Sequence, residues 1–459
     1  MQSEDGILSV PVWGKIQEGM KGTEYLWSNS LRGYMEQGMI EYSGRITNRL
    51  LNALLHRDGR LDAIKLRTMT DLIEAEGTAY LQEQIAWADG VLTDHGYSLD
   101  TLLPPEGTII PPGILGETVF AVSRDGKPLS EEERHAMIDT LALSLNAKKP
   151  VEEQIEVGSD KTYRMEPSPF NAVKISMDGV GAKRQKDSRP KDEKEDPSFI
   201  HDSTDGPTDY TRAPDPKTRP KVETAVGHVE YLGKKYLFAG RNMFETSKLI
   251  LAFLLFHNLL DGNLLVFFTD GGRDIRYCIE NIFKVYQPIE VLDWFHLRKH
   301  CTEALSMSLK GGKANRSMQY ELKRRLFRML WSGNVQNAIS YLQLLDKSSL
   351  KPGDRINELV GYLKKNESRI VCYALRRRLE LQVSSNKVEK ANDLIVASRQ
   401  KGDSMSWSRE GSWGLANVTV KYLNNEGDTY REEGTISFTM YTSYGKVFDI
   451  NTKQEIQVA

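Results

Sequence analysis

The sequence predicts an α/β protein built on a mixed sheet, and three observations carry that prediction. The apolar runs 264–268 and 289–292 are too short for helices and suit buried strands, and each leads into an aspartate, Asp270 and Asp293. Between them Ile275, Ile279, Ile282 and Phe283 recur at helical spacing, so a helix joins the two strands and they pair in parallel. Upstream, residues 172–177 alternate apolar and polar as a strand does, ending at Asp178 and Gly179. Catalytic and ligand-binding groups of such sheets collect at the carboxyl ends of the strands, where Asp178, Asp270 and Asp293 fall. Read alone, Thr269-Asp270-Gly271-Gly272 is a strand-to-helix turn with Asp270 as a cap.

Composition narrows the class. A chain of 459 residues has room for two or three domains. Its charged fraction of 27% and mean hydropathy of -0.47 are those of a soluble globular protein. The longest apolar run, 249–260, is interrupted by His257 and Asn258 and falls short of a bilayer span, so no membrane segment is expected. The N-terminus has no basic start followed by an apolar stretch, which predicts a cytoplasmic protein without a secretory signal. Cys278, Cys301 and Cys372 form neither a paired framework nor a zinc motif. His296 and His300 stand one helical turn apart beside Cys301, but a structural zinc needs a fourth ligand that the neighbourhood does not offer. With a net charge of -2, any nucleic-acid role must rest on local patches.

In chain order, residues 1–150 read as mainly helical, a region suited to DNA-end binding or oligomerisation. Leu31, Tyr34, Met35 and Met39 lie at helical spacing, and Ser130 with Glu133 forms a capping box that opens a further helix. The stretch 183–223, rich in Pro, Asp, Lys and Arg, predicts a mobile polar insertion. Strands are expected at 224–229 and 235–238 around a turn at Leu232 and Gly233, followed by an apolar helix over 244–260. Residues 298–383 read as a basic helical insertion. Lys310, Lys313, Arg316, Lys323, Arg324, Arg325 and Arg328 cluster with Tyr320, Phe327 and Trp331 interleaved, a pattern suited to gripping phosphates; Arg376, Arg377 and Arg378 form a second cluster. Asn386 and Glu389 match a capping box, and 426–459 reads as a small strand hairpin.

A three-strand meander, a helix, and then parallel strands alternating with helices is the element order of the ribonuclease H-like fold. In that fold the first and fourth strands are central neighbours, which would bring Asp178 beside Asp270. Carboxylates so placed raise each other's proton affinity unless a cation lies between them, and oxygen ligands favour Mg²⁺.

Four segments in order carry a family resemblance: residues 175–186 (Ile-Ser-Met-Asp-Gly-Val-Gly-Ala-Lys-Arg-Gln-Lys), Thr269-Asp-Gly-Gly272, Leu292-Asp-Trp-Phe-His-Leu297, and Ser384-Ser-Asn-Lys-Val-Glu389 with Met405-Ser-Trp-Ser408. The chain resembles bacterial insertion-sequence transposases of the DDE type, in the group related to eukaryotic Mutator-like elements. The resemblance implies a catalytic domain over 165–297 and 384–425, interrupted by the helical insertion. It implies Asp178, Asp270 and Glu389 as catalytic and metal-binding acids, with Asp293 and His296 as an accessory pair. It implies two Mg²⁺ or Mn²⁺ ions, element ends and target DNA as partners, a homo-oligomer, and a protein associated with the bacterial nucleoid. The long polar insertion after Asp178 and the nearly neutral N-terminal region depart from the family's pattern. A transposase-derived DNA binder without catalysis and a ribonuclease H-like nuclease remain the alternatives.

Overall fold

The computed structural model describes residues 29–55, 64–108, 130–166, 172–185, 220–311, 316–402 and 405–440, together with short strand pairs at 2–3 with 6–7 and at 447–449 with 454–456. Among the described residues, four longer helices precede the sheet: α1 (Asn29–Glu41), α2 (Gly44–Leu55), α3 (Leu66–Asp94) and α4 (Glu131–Asn146), with a single helical turn at Asp160–Tyr163 after them. The expected capping box opens α4, with Ser130 and Glu133 each bonding the other's backbone N–H.

Five strands form one sheet: β1 (Ala172–Lys183), β2 (Lys221–Tyr231), β3 (Lys234–Gly240), β4 (Leu264–Thr269) and β5 (Ile289–Leu292), in the spatial order β3-β2-β1-β4-β5. The meander β1-β2-β3 is antiparallel, while β1, β4 and β5 run parallel. Leu232 and Gly233, both at positive φ, make the tight turn between β2 and β3. Asn424 covers the outer edge of β3 by bonding both the N–H and the C=O of Leu237, at 3.0 and 2.9 Å.

β1 does not end at Asp178 as expected. It continues for five residues because β2 keeps pairing with it as far as Lys183, and Val180 and Ala182 carry on the buried alternation. The polar stretch expected over 183–223 therefore begins and ends in strand, and residues 186–219 lie outside the described part.

Both faces of the sheet are covered. On one, Val173, Ile175 and Met177 of β1 and Leu265 and Phe267 of β4 pack against α5 (Met243–Phe256), α6 (Arg273–Cys278) and the Leu81, Ala88 and Leu92 side of α3. The long N-terminal helix is thus part of the sheet's own core. On the other face, Val266 and Phe268 of β4 meet α7 (Trp294–Ser308), α8 (Arg316–Trp331), α9 (Val335–Gln343) and α10 (Ile356–Lys365). Next to that helical block, after α11 (Tyr373–Arg378), the same face carries α12 (Asn386–Asn392) and α13 (Arg409–Leu423), whose Val388, Ala391, Ala416 and Val420 pack on Val180, Ala182 and Val226. α3 and α13 cross at two glycines so closely that a Cβ on Gly77 would fall 1.9 Å from the carbonyl oxygen of Gly414. The tail opens with a helix, α14 (Gly427–Glu433), where a hairpin was expected from residue 426; strand pairing joins Val447–Asp449 with Gln454–Ile456.

Glu426 ties three of these parts together. It accepts hydrogen bonds from Tyr80 of α3, from Tyr236 of β3 at 2.9 Å and from the Phe438 N–H at 2.9 Å. Burial dominates over these donors and pushes its carboxyl up to about 7 from an ordinary value of 4.5. A raised carboxyl contributes stability that is present below pH 4.5 and is lost as pH rises through about 7. Glu426→Gln should flatten that loss. Thermal melts at pH 5 and pH 8 are expected to show the variant gaining on wild type at the higher pH, by up to about 3 kcal/mol.

Candidate active site

The register of the sheet lines up three aspartates. β1 and β4 pair as far as Ser176 opposite Phe268, and β4 and β5 as far as Thr269 opposite Leu292. Extending both registers sets Asp178, Asp270 and Asp293 in one lateral row on strands about 5 Å apart. Side chains alternate faces along a strand, so Asp178 shares the face of Val180 and Ala182, the face that α12 covers.

The turn after β4 is built for a close approach. Gly271 has φ 86°, and a Cβ there would stand 3.1 Å from Leu292 Cδ1. Asp270 accepts the N–H of Gly272 at 2.7 Å, so the cap-like role read from Thr-Asp-Gly-Gly is present and engages one carboxylate oxygen.

Asp293 is fully buried and serves two elements. Its Oδ1 takes the His296 N–H at 2.7 Å as the N-cap of α7. Its Oδ2 takes the Ser385 N–H at 2.6 Å and the Ser385 hydroxyl at 3.2 Å, which fastens the residue preceding α12. Burial alone would raise Asp293, but the bonds from His296 and Ser385 outweigh it and hold the carboxyl below its ordinary range.

The capping box expected from Asn386 and Glu389 does not form. Ser385 occupies the cap position without a side-chain cap bond, because its hydroxyl is turned to Asp293. Glu389 is left to face the site, where His296 Nδ1 lies 3.5 Å from Glu389 Oε1 and 3.2 Å from Asp293 Oδ1. Contact with Asp293 raises the imidazole above its ordinary range against the opposing effect of burial. Asp293, His296 and Glu389 each offer a ligand atom within 4.8 Å of the other two. Asp178 and Asp270 are not part of that tight group, yet they act on it electrostatically. Burial first, and then the charge of Asp270, push Asp178 up to about 6, with Glu389 adding to the rise and His296 opposing it.

Asn392 was not legible as a site residue. One turn beyond Glu389, it donates to Asp178 Oδ2 at 2.6 Å, and its own Oδ1 is buried without a hydrogen-bond partner. Its only sequence signal is the i,i+3 spacing from Glu389.

Comparison of the chain with protein-family models, with curated proteins and with solved structures finds no match. The site is therefore read from its own geometry.

The basic cluster is only partly available to a ligand. Arg325 pairs with Glu152, and Arg328 lies 3.5 Å from Glu153. Arg324 meets Glu321 at 3.1 Å, Lys323 reaches the Ser306 hydroxyl at 3.1 Å, and Lys310 donates to the Ser348 carbonyl at 2.7 Å. Arg316 opens α8, and Lys313 lies outside the described residues. In the second cluster Arg376 is buried in a two-pronged pair with Glu166, at 2.6 and 2.5 Å, and is no surface cation.

Asp293→Asn should loosen the α12 entrance. Denaturant unfolding is expected to show a loss of about 1–3 kcal/mol, faster hydrogen exchange at the Ser385 amide, and a His296 imidazole that titrates at lower pH by NMR.

Proposed function

We propose that the chain is a DDE-type transposase with a ribonuclease H-like catalytic domain, cleaving DNA at element ends and joining it to a target. The observation that carries this reading is the row of acids across the carboxyl ends of adjacent parallel strands, with Glu389 brought to it from α12 by the Asp293–Ser385 bonds. The strand order, with β1 and β4 side by side at the centre, supports the ribonuclease H-like assignment. Asp178, Asp270 and Glu389 would hold the cations. The donor set fits hard divalent metal: carboxylate oxygens, an Asp178 whose proton affinity is raised by burial and then by the charge of Asp270, and the unpartnered Asn392 Oδ1. Two Mg²⁺ or Mn²⁺ ions, when bound, supply activation of a water or a DNA 3′-hydroxyl and charge stabilisation at the leaving oxygen.

The chain's own residues do the positioning. Asn392 fixes the Asp178 carboxylate, the Gly272 N–H fixes Asp270, and Asp293 holds His296 beside Glu389. Nothing here requires a Ser, Cys or Tyr nucleophile, since attack by water or by a DNA hydroxyl leaves no covalent protein intermediate.

Asp178→Asn, Asp270→Asn and Glu389→Gln each keep the size of the side chain and remove a charge. Metal-dependent nicking and joining of the element's own flanking DNA should fall by roughly a thousandfold or more, while DNA affinity and the melting curve persist. The assay is a gel of nicked and joined products with Mg²⁺ or Mn²⁺. Wild-type protein that binds element ends without cutting them under either metal would replace this reading by a DNA binder without catalysis. Cutting of generic RNA–DNA hybrids without joining would replace it by a nuclease.

A further inference from the structure

Beside the acidic row, between α7, α8 and residues 148–153, lies a cavity of about 730 Å³. Trp294, Tyr320, Phe327 and Trp331 give it aromatic walls, and six cations line it against a single carboxylate, Glu153. Resting on the DNA reading above, we propose that this cavity takes an unstacked nucleobase together with its flanking phosphates.

The rings are held before any ligand arrives. Trp294 meets Trp331 edge-on at 4.7 Å and 67°, and Phe327 at 6.3 Å and 77°. Tyr320, 69% exposed, stands at the mouth. Arg298 places its guanidinium 5.5 Å from the centre of the Phe327 ring, a geometry that suits both a phosphate and a stacked base. Glu153 is drawn to Arg328 at 3.5 Å and Arg324 is shared with Glu321, so Lys148, Lys149, Arg298 and Lys323 supply the excess positive charge.

Charge and rings together select the ligand class. A phosphate alone has no use for four aromatic side chains, and a neutral apolar ligand has none for the cations. A base with its phosphates uses both, and each stacked base contributes sequence-tolerant affinity.

Position ties the cavity to the acids. Trp294 directly follows Asp293, and Trp294, Arg298 and Thr302 recur every four residues along the face of α7 that lines the cavity. His296, on another face of the same first turn, points to Glu389. The first turn of α7 therefore carries both a wall of the cavity, Trp294, and a residue of the acidic site, His296.

The test is fluorescence anisotropy of the full chain in a chelating buffer, so that binding is read without cleavage. The probes are an oligothymidylate of about a dozen nucleotides, an abasic strand of the same length, and a duplex with or without one unpaired thymidine. Oligothymidylate is expected to bind about tenfold more tightly than the abasic strand. Tyr320→Ala with Phe327→Leu should remove that preference and leave the abasic affinity unchanged. Lys148→Gln with Lys323→Gln should weaken both strands alike and flatten their salt dependence. Should the ring double variant fail to fold, Tyr320→Ala alone, at an exposed position, should still lose part of the preference. A preference for the unpaired-thymidine duplex assigns the pocket to an extrahelical base, and a preference confined to single strands assigns it to melted DNA; either outcome supports the proposal. Equal binding of thymidylate and abasic strands, or a preference that survives the ring variants, overturns it. Metal-dependent cutting of element ends is scored separately: lost base preference with cutting intact removes the cavity proposal alone, and intact preference without cutting removes the transposase reading alone.

Discussion

Asp293 lies fully buried at the end of β5, and its two oxygens take three donors from residues far apart in the chain. One donor is the first-turn N–H of α7, and the others come from Ser385 at the entrance to α12. A buried carboxylate is costly unless its acceptors are filled, so this arrangement favours one relative placement of the two helices strongly. Everything the site contributes from outside the sheet follows from that placement. His296 stands between Asp293 and Glu389, Asn392 reaches Asp178, and Trp294, whose N–H donates to the Val383 carbonyl at 3.1 Å, is fixed as a wall of the neighbouring cavity.

The sheet supplies the other half by register. Parallel pairing of β1 with β4 and of β4 with β5 sets three aspartates at one height, and strand alternation turns Asp178 toward α12. Burying Asp178 and setting the charge of Asp270 beside it both oppose folding, and the raised Asp178 carboxyl is the local sign of that opposition. The surrounding packing carries the cost. All six residues of β4 are buried, and helices cover both faces of the strand.

Local patterns in the sequence were read well where the partner was also local. The Ser130–Glu133 box, the Leu232–Gly233 turn and the buried Ile275, Ile279, Ile282 and Phe283 all formed as their spacing indicated. The α/β class and the adjacency of the first and fourth strands also followed from element order. Misreadings arose where a distant partner decided. β1 outran Asp178 because β2 continues alongside it, and Ser385 gave its hydroxyl to Asp293 instead of capping α12. Arg325 reads as a surface cation until Glu152, 173 residues away in the chain, is placed beside it. Asn392 is the plainest case, since an asparagine on a helix carries no signal until Asp178 is across from it.

The bond from Asn392 to Asp178 spans 214 residues of chain. During synthesis at about 5–20 residues per second, the strand bearing Asp178 leaves the ribosome well before the helix that completes its surroundings. β4 and β5 can pair with it in the meantime, but the face that awaits α12 and α13 stays open, with Val180, Ala182 and Val226 uncovered. The surroundings of the acidic row are thus completed late, and a chain cut short before residue 384 would carry its aspartates on a sheet lacking α12, α13 and Glu389. Such an order of assembly leaves the site incomplete until residues 384–423 have been made.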